Sequence, residues 1–237
     1  MSIRHLLTFL LLVTCCCPAN SQVVFGILGG YGLPLFDKGS KALGDPKNSS
    51  TDFTVMEGGS IMVHAGKSIG LGLTVYGQTY SFTMHNGTAN ATGYNGTDLV
   101  HHSDYLFAAP TLSFILDHRD YLQFNLSPAI GLSTGGHEYV KDYTFTTAGN
   151  VLANDSINTS ENITQFIFCI TAQFQQNLAL SRHFRICLIE SYSYMATQLS
   201  QTNIPNRNIN PGYASLQLAF TYRVHKKNVK FFTPSFY

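Results

Sequence analysis

Apolar and polar residues alternate with period 2 along the stretch from Gly212 to Val224. Ala214, Leu216, Leu218, Phe220, Tyr222 and Val224 fall on one face of an extended strand, and Tyr213, Ser215, Gln217, Ala219, Thr221 and Arg223 on the other. Such a period belongs to a strand whose two faces meet different surroundings. It recurs at Leu122, Phe124, Leu126, Ile130 and Leu132, which oppose Gln123, Asn125, Ser127, Ala129, Gly131 and Ser133. It recurs again at Ile69, Leu71, Leu73 and Val75, and at Phe166, Phe168, Ile170 and Phe174. The pattern predicts strands near 23–33, 53–65, 69–82, 104–116, 121–134, 163–179, 184–198 and 212–224. After Gln22 no apolar run is long enough for a membrane helix, and stripes of period 3.6 are missing.

The joins between these strands alternate in length. "AGKS", "DHRD" and "LSRH" are tight; 34–52, 83–103, 135–162 and 199–211 are long and rich in Asn, Gly, Thr and Ser. Tight turns at one end and long loops at the other suit an all-β protein of one kind. It is an eight-stranded antiparallel up-and-down transmembrane β-barrel with short periplasmic turns and long extracellular loops. The loop 135–162, poor in apolar residues, is expected to be exposed and to lack a core of its own. Glu190 interrupts the apolar face of "FRICLIESYSY", so a bulge or inward turn is expected there to keep it from lipid.

Composition decides which face is outside. Only 11% of the 237 residues are charged, against about a quarter in soluble domains. If the apolar faces pointed inward, the outer surface would be nearly charge-free and poorly soluble. The small, uncharged set fits the interior of a narrow barrel instead. Leu122, Phe124, Leu126, Leu216, Leu218 and Phe220 are therefore expected to face lipid. A net charge of +1 offers no field for nucleic acid.

The start of the chain, "MSIRHLLTFLLLVTCCCPANSQ", has Arg4, a short apolar core from Leu6 to Val13, and small residues at Ala19 and Ser21. It reads as a signal peptide over 1–21, followed by a barrel over 22–224 and a short periplasmic extension over 225–237. Export to the outer membrane follows. Cys169 and Cys187 are expected several residues out of register, too far apart for a disulfide, as small core residues.

By this pattern, over roughly residues 23–224, the chain resembles the OmpA/OmpX-type small outer-membrane barrels. The resemblance implies an anchored scaffold for surface loops, with Tyr222 or the terminal Phe236-Tyr237 as the closing aromatic. The partners it implies are outer-membrane lipid and lipopolysaccharide, with a surface partner at the loops and a monomeric state.

Candidate chemistry is sparse. His101-His102 beside Asp104 is the densest histidine group, but neighbouring residues on a strand point to opposite faces, so loop polarity explains it better than a metal site. His64, His118, His183 and His225 read as interfacial residues near the turn end. Glu190 with Ser191 and Ser193 raises hydrolysis, yet no histidine is placed to serve them and no Gly-x-Ser-x-Gly elbow exists. The eight Asn-x-Ser/Thr sequons follow from loop composition, and Asn125 would face the lumen. No catalytic residue, metal ligand or cofactor is expected. The leading function is a non-enzymatic barrel presenting loops for adhesion, envelope integrity or partner binding. The alternatives are a secreted soluble barrel around an apolar ligand and a lipid-modifying outer-membrane enzyme.

Overall fold

A computed structural model of the protein describes residues 22–35, 50–51, 53–65, 68–90, 93–117, 121–146, 151–201 and 212–225. The expected signal peptide, most of the segments 34–52 and 199–211, and the C-terminal extension beyond residue 225 lie outside the described residues. The strands are β1 (Gln22–Leu35), β2 (Ser50–Thr51), β3 (Thr54–Ala65), β4 (Ile69–Asn90), β5 (Gly93–Ile115), β6 (Leu122–Thr146), β7 (Val151–Asn158), β8 (Phe166–Ala179), β9 (Phe184–Met195) and β10 (Gly212–His225). Eight of them form a ring in the order β1-β3-β4-β5-β6-β8-β9-β10. The ring closes where β1 pairs antiparallel with β10, from Gln22 opposite His225 to Leu35 opposite Gly212. Closure leaves the wall without an edge, so every wall strand has main-chain partners on both sides.

All eight wall strands stand where the alternation places them, and the faces divide as expected. Leu216, Leu218 and Phe220 are each 54% exposed on the outer surface, whereas Gln217 is 2% exposed inside. Phe124 and Leu126 also point outward, and Leu122 is half-buried at the base of the same outer row. Cys169 and Cys187 are buried thiols that form no disulfide, and they stand opposite Met195 and Asn177 respectively.

Three features differ from the sequence reading. The first is strand length: β4, β5 and β6 run for 22, 23 and 25 residues. A tilted strand crosses a membrane in about 9–11. Segment 83–103 is thus the upper part of a hairpin, paired from Thr83–Val100 to Asn90–Gly93. Within 135–162, residues 135–146 continue β6, and 151–158 form β7 against it. The absence of apolar alternation there is not an absence of pairing, because the main chain supplies the ladder whatever the side chain.

The second difference is β9. It pairs with β8 and β10 without a register shift, and Glu190 points outward between Phe174 and Leu216. No bulge turns it inward.

The third is what fills the lumen. Its upper half holds large aromatics rather than small residues: Tyr76, Tyr80, Phe82, Tyr105, Phe107 and Tyr213 are all buried. Tyr76 stacks on Phe107 at 4.9 Å, and Tyr80 meets both Tyr105 and Tyr213 edge-on. Gly131 makes room for this plug. A Cβ there would lie 2.7 Å from a Phe107 ring carbon and 2.8 Å from the Ile167 side chain. Below the plug the lumen is polar, with Ser127 donating to Thr111 at 2.9 Å and Gln217 donating to Ser215 at 2.8 Å.

Candidate functional site

The most organised polar group lies above the aromatic plug and depends on a bulge in β6. Up to Ser133, the odd-numbered residues of β6 face the lumen. Asp104 then pairs with Gly135 while Tyr105 pairs with Ser133, so Thr134 is the extra residue. Its hydroxyl donates to the Asp104 carbonyl at 3.2 Å. Gly136 has φ +152°, and a Cβ on it would lie 2.5 Å from the His102 carbonyl oxygen. Only glycine fits such backbone and such an approach. Past the bulge, parity reverses: the even-numbered Glu138 faces inward and is fully buried.

Glu138 meets His101 of β5, also fully buried. His101 Nδ1 lies 2.7 Å from Glu138 Oε2, and His101 Nε2 lies 2.8 Å from Ser103 Oγ. The Phe82 ring stacks on the imidazole at 4.7 Å. The second carboxylate oxygen, Oε1, accepts from Thr159 Oγ1 and from Ser200 Oγ, each at 2.9 Å. One buried carboxylate thus gathers three side chains from three separate segments. Buried charge is tolerated on such terms, with its lone pairs occupied.

The two segments that carry Thr159 and Ser200 are also tied by the main chain, one to the wall and both to each other. Thr159 N donates to the Glu138 carbonyl, Thr164 N to the Leu199 carbonyl, and Gln201 N to the Asn162 carbonyl. Ile163 and Ser200 form an isolated bridge. Glu138 is therefore the latch that holds these segments to the wall.

The order Ser103–His101–Glu138 is also that of a hydrolase relay, in which a carboxylate orients an imidazole against a hydroxyl. Ser103 has no exposed surface, and the Oε1 atom of Glu138 is committed to Thr159 and Ser200. The arrangement as it stands binds segments together.

The histidine pair read from sequence divides as strand geometry demands. His101 points in and His102 points out, 3.9 Å from Asp104 and stacked at 4.9 Å on His137. Loop polarity, the expected explanation, is replaced by a strand with a buried latch on one face. His64 is not interfacial but buried within the lumen. His183 lies on an exposed turn with Nδ1 3.0 Å from the Arg223 carbonyl oxygen. His118 lies outside the described residues. Glu190, Ser191 and Ser193 do not converge: the carboxylate is outside, while the serines bond within the lumen to Ser215 and Thr171. Among the described residues, no three metal-binding side chains come together.

The closed ring of eight antiparallel strands is the architecture of the small OmpA/OmpX-type barrels. No family model matches the chain, and no curated protein matches it. Among solved structures, it is similar to Ail, the attachment invasion locus protein of Yersinia pestis, crystallised with the heparin analogue sucrose octasulfate. The identity is 13% over 86% of this chain and 99% of that one, with a TM-score of 0.31. Neisserial surface protein A shares 10% over 85% and 96%, with a TM-score of 0.39. The outer-membrane protease OmpT of Escherichia coli shares 9% over 87% and 96%, with a TM-score of 0.24. At these values the likeness carries no functional argument, and the fold rests on the strand pairing itself.

Proposed function

We propose that this chain is a small, non-enzymatic outer-membrane barrel, exported by its first 21 residues, which presents the upper parts of β4, β5, β6 and β7 for adhesion, envelope integrity or partner binding. The observation that carries the reading is the division of the wall. Apolar side chains such as Phe220, Leu218, Ile130 and Phe166 cover its outside, while amides, hydroxyls and packed aromatics fill its inside. A soluble barrel around an apolar ligand needs the reverse, with an apolar cavity and a charged exterior. Leu122, Phe124, Leu126, Leu216, Leu218 and Phe220 then contact the acyl chains. Lipopolysaccharide surrounds the upper rim, and the barrel acts as a monomer.

The plugged lumen argues against general solute flow, since eight strands leave an interior that side chains fill. The latch supports a display role. It fixes the segments that carry Thr159 and Ser200 so that the projecting hairpins stand on a rigid mouth, and rigid presentation lowers the cost of binding. Fractionation of expressing cells tests the reading: recovery in outer-membrane vesicles, released only by detergent, is expected, and recovery in the soluble fraction would refute it.

A further inference from the structure

The bulge in β6 that turns Glu138 inward also changes the outside of the wall. Without the extra residue Thr134, the odd-numbered His137 would share the lumenal face of Ser133. With it, His137 stands on the outer face, directly opposite His102 of β5. Residues paired in this way hold their Cβ atoms about 4.5–5.5 Å apart. The two imidazoles lie face to face, with ring centres 4.9 Å apart and planes at 21°.

That spacing suits a shared ion. Two imidazoles on one metal, each bound at about 2.0–2.1 Å, have ring centres roughly 4.5–5.5 Å apart. A small turn about each Cβ–Cγ bond therefore brings one nitrogen of each ring to a common point. Both rings are open to solvent, and among the described residues no hydrogen bond engages either imidazole. Tyr139 backs His137, with ring centres 5.6 Å apart. Two residues along β5 on the same face, Asp104 Oδ2 lies 3.9 Å from His102 Nε2, while its Oδ1 accepts from the Thr79 hydroxyl at 2.5 Å. At 3.9 Å the carboxylate is beyond hydrogen-bond reach of the imidazole. It is placed instead to hold a water carried by the ion.

We propose that His102 and His137 bind a divalent late transition-metal ion such as Zn²⁺ on the outer surface of the β5–β6 pair. Two side chains touch the ion, water completes its shell, and Asp104 orients one of those waters. Neutral imidazole suits zinc, copper and nickel, whereas magnesium and calcium take oxygen ligands. A carboxylate outside the first shell, itself fixed by a hydroxyl, strengthens such a site by orienting what the metal holds. The bound ion clamps β5 to β6 beside the bulge that interrupts their register. The site rests on the strand pairing, and depends neither on which way the barrel is inserted nor on what the projecting hairpins bind.

The test uses the full chain folded in a maltoside detergent, stripped of metal by a chelator and with its accessible thiols alkylated, and Zn²⁺ as the probe. Calorimetry should show saturable uptake. His102→Gln and His137→Gln should each weaken it by about tenfold or more. The double variant should bind no more weakly than the weaker single one, because one ion shared by two ligands couples their losses. Asp104→Asn should weaken uptake by a smaller factor, and His183→Gln, on the distant turn, should leave it unchanged. Zn²⁺ should also protect His102 and His137 of the parent protein from diethyl pyrocarbonate, read by peptide mass spectrometry, while His183 stays reactive. Folding of each variant is read from its mobility before and after heating. If one single variant does not fold, the other and the protection experiment carry the comparison. Absence of saturable uptake by folded protein would overturn the proposal. So would uptake that survives the double variant, uptake weakened as much by His183→Gln, or modification of His137 undiminished by Zn²⁺.

Discussion

Gly136 and Glu138 stand two residues apart on β6, and the backbone of the first decides which side of the wall the second occupies. Thr134 is an extra residue opposite β5, Gly136 takes φ +152°, and the even-numbered Glu138 turns from the outer face to the lumen. There it lies 2.7 Å from His101, a residue 37 positions earlier in the chain. A local conformation that favours glycine thus creates a long-range buried contact.

This relationship gives a matched pair of variants. Gly136→Ala should destabilise the barrel by about 1–3 kcal/mol, because its φ belongs almost to glycine alone and the added Cβ meets the β5 backbone. Gly135→Ala should be nearly neutral, since a Cβ there meets nothing within 4 Å. Urea titration of refolded protein in vesicles measures both. Equal losses would mean that the bulge is not where the pairing puts it.

Removing the latch carboxylate should be costlier. Glu138→Ala leaves His101, Thr159 and Ser200 without their shared acceptor, a loss of about 3–5 kcal/mol by analogy with other broken buried pairs. Glu138→Gln, which keeps an acceptor oxygen, should lose less. Limited proteolysis should then cut within 159–165 and 196–201 in the alanine variant at protease levels that spare the parent. Undiminished protection would show that these segments are held by their main-chain bonds alone.

Glu190 yields an expectation of opposite sign. It sits on the outer wall beside Phe174 and Leu216, where a charge in contact with acyl chains is unfavourable. Glu190→Leu should stabilise the barrel in a bilayer by roughly 1–2 kcal/mol, a carboxylate costing less there than a lysine or arginine. Denaturant midpoints in vesicles decide it. A lower midpoint for the leucine variant would reveal that Glu190 serves a polar partner on the wall.

How much of this was legible beforehand follows from what each feature depends on. The wall strands were readable because period 2 is local, and residues such as Leu216, Gln217 and Leu218 declare both the strand and its faces. The lengths of β4 to β6 were hidden because Thr, Asn and Gly above the belt carry no apolar alternation, although their main chains pair normally. The latch was hidden for a different reason. His101 looked like one of two loop histidines, and Glu138 has the wrong parity for an inward residue if β6 is read without interruption. The signal was Gly135-Gly136, a glycine pair inside a strand pattern, which marks a bulge. Counting one extra residue there would have brought Glu138 to the lumen. Glu190 was misjudged in the other direction: β9 leaves a carboxylate on an apolar face, and no local rule predicted that the strand would stay regular.

The central claim is that the alternation sorts side chains between lipid and lumen, and neighbouring residues test it most directly. The chain contains no tryptophan, so a single one can be introduced as the only indole. Phe220→Trp and Thr221→Trp place it at adjacent positions on opposite faces, as do Phe174→Trp and Gln175→Trp. In vesicles of brominated lipid, the fluorescence of the Phe220 and Phe174 variants should be strongly quenched. That of the Thr221 and Gln175 variants should stay close to its level in unbrominated lipid. Quenching in the reverse order would mean that the faces are exchanged, and none at all four positions would place the barrel outside the bilayer.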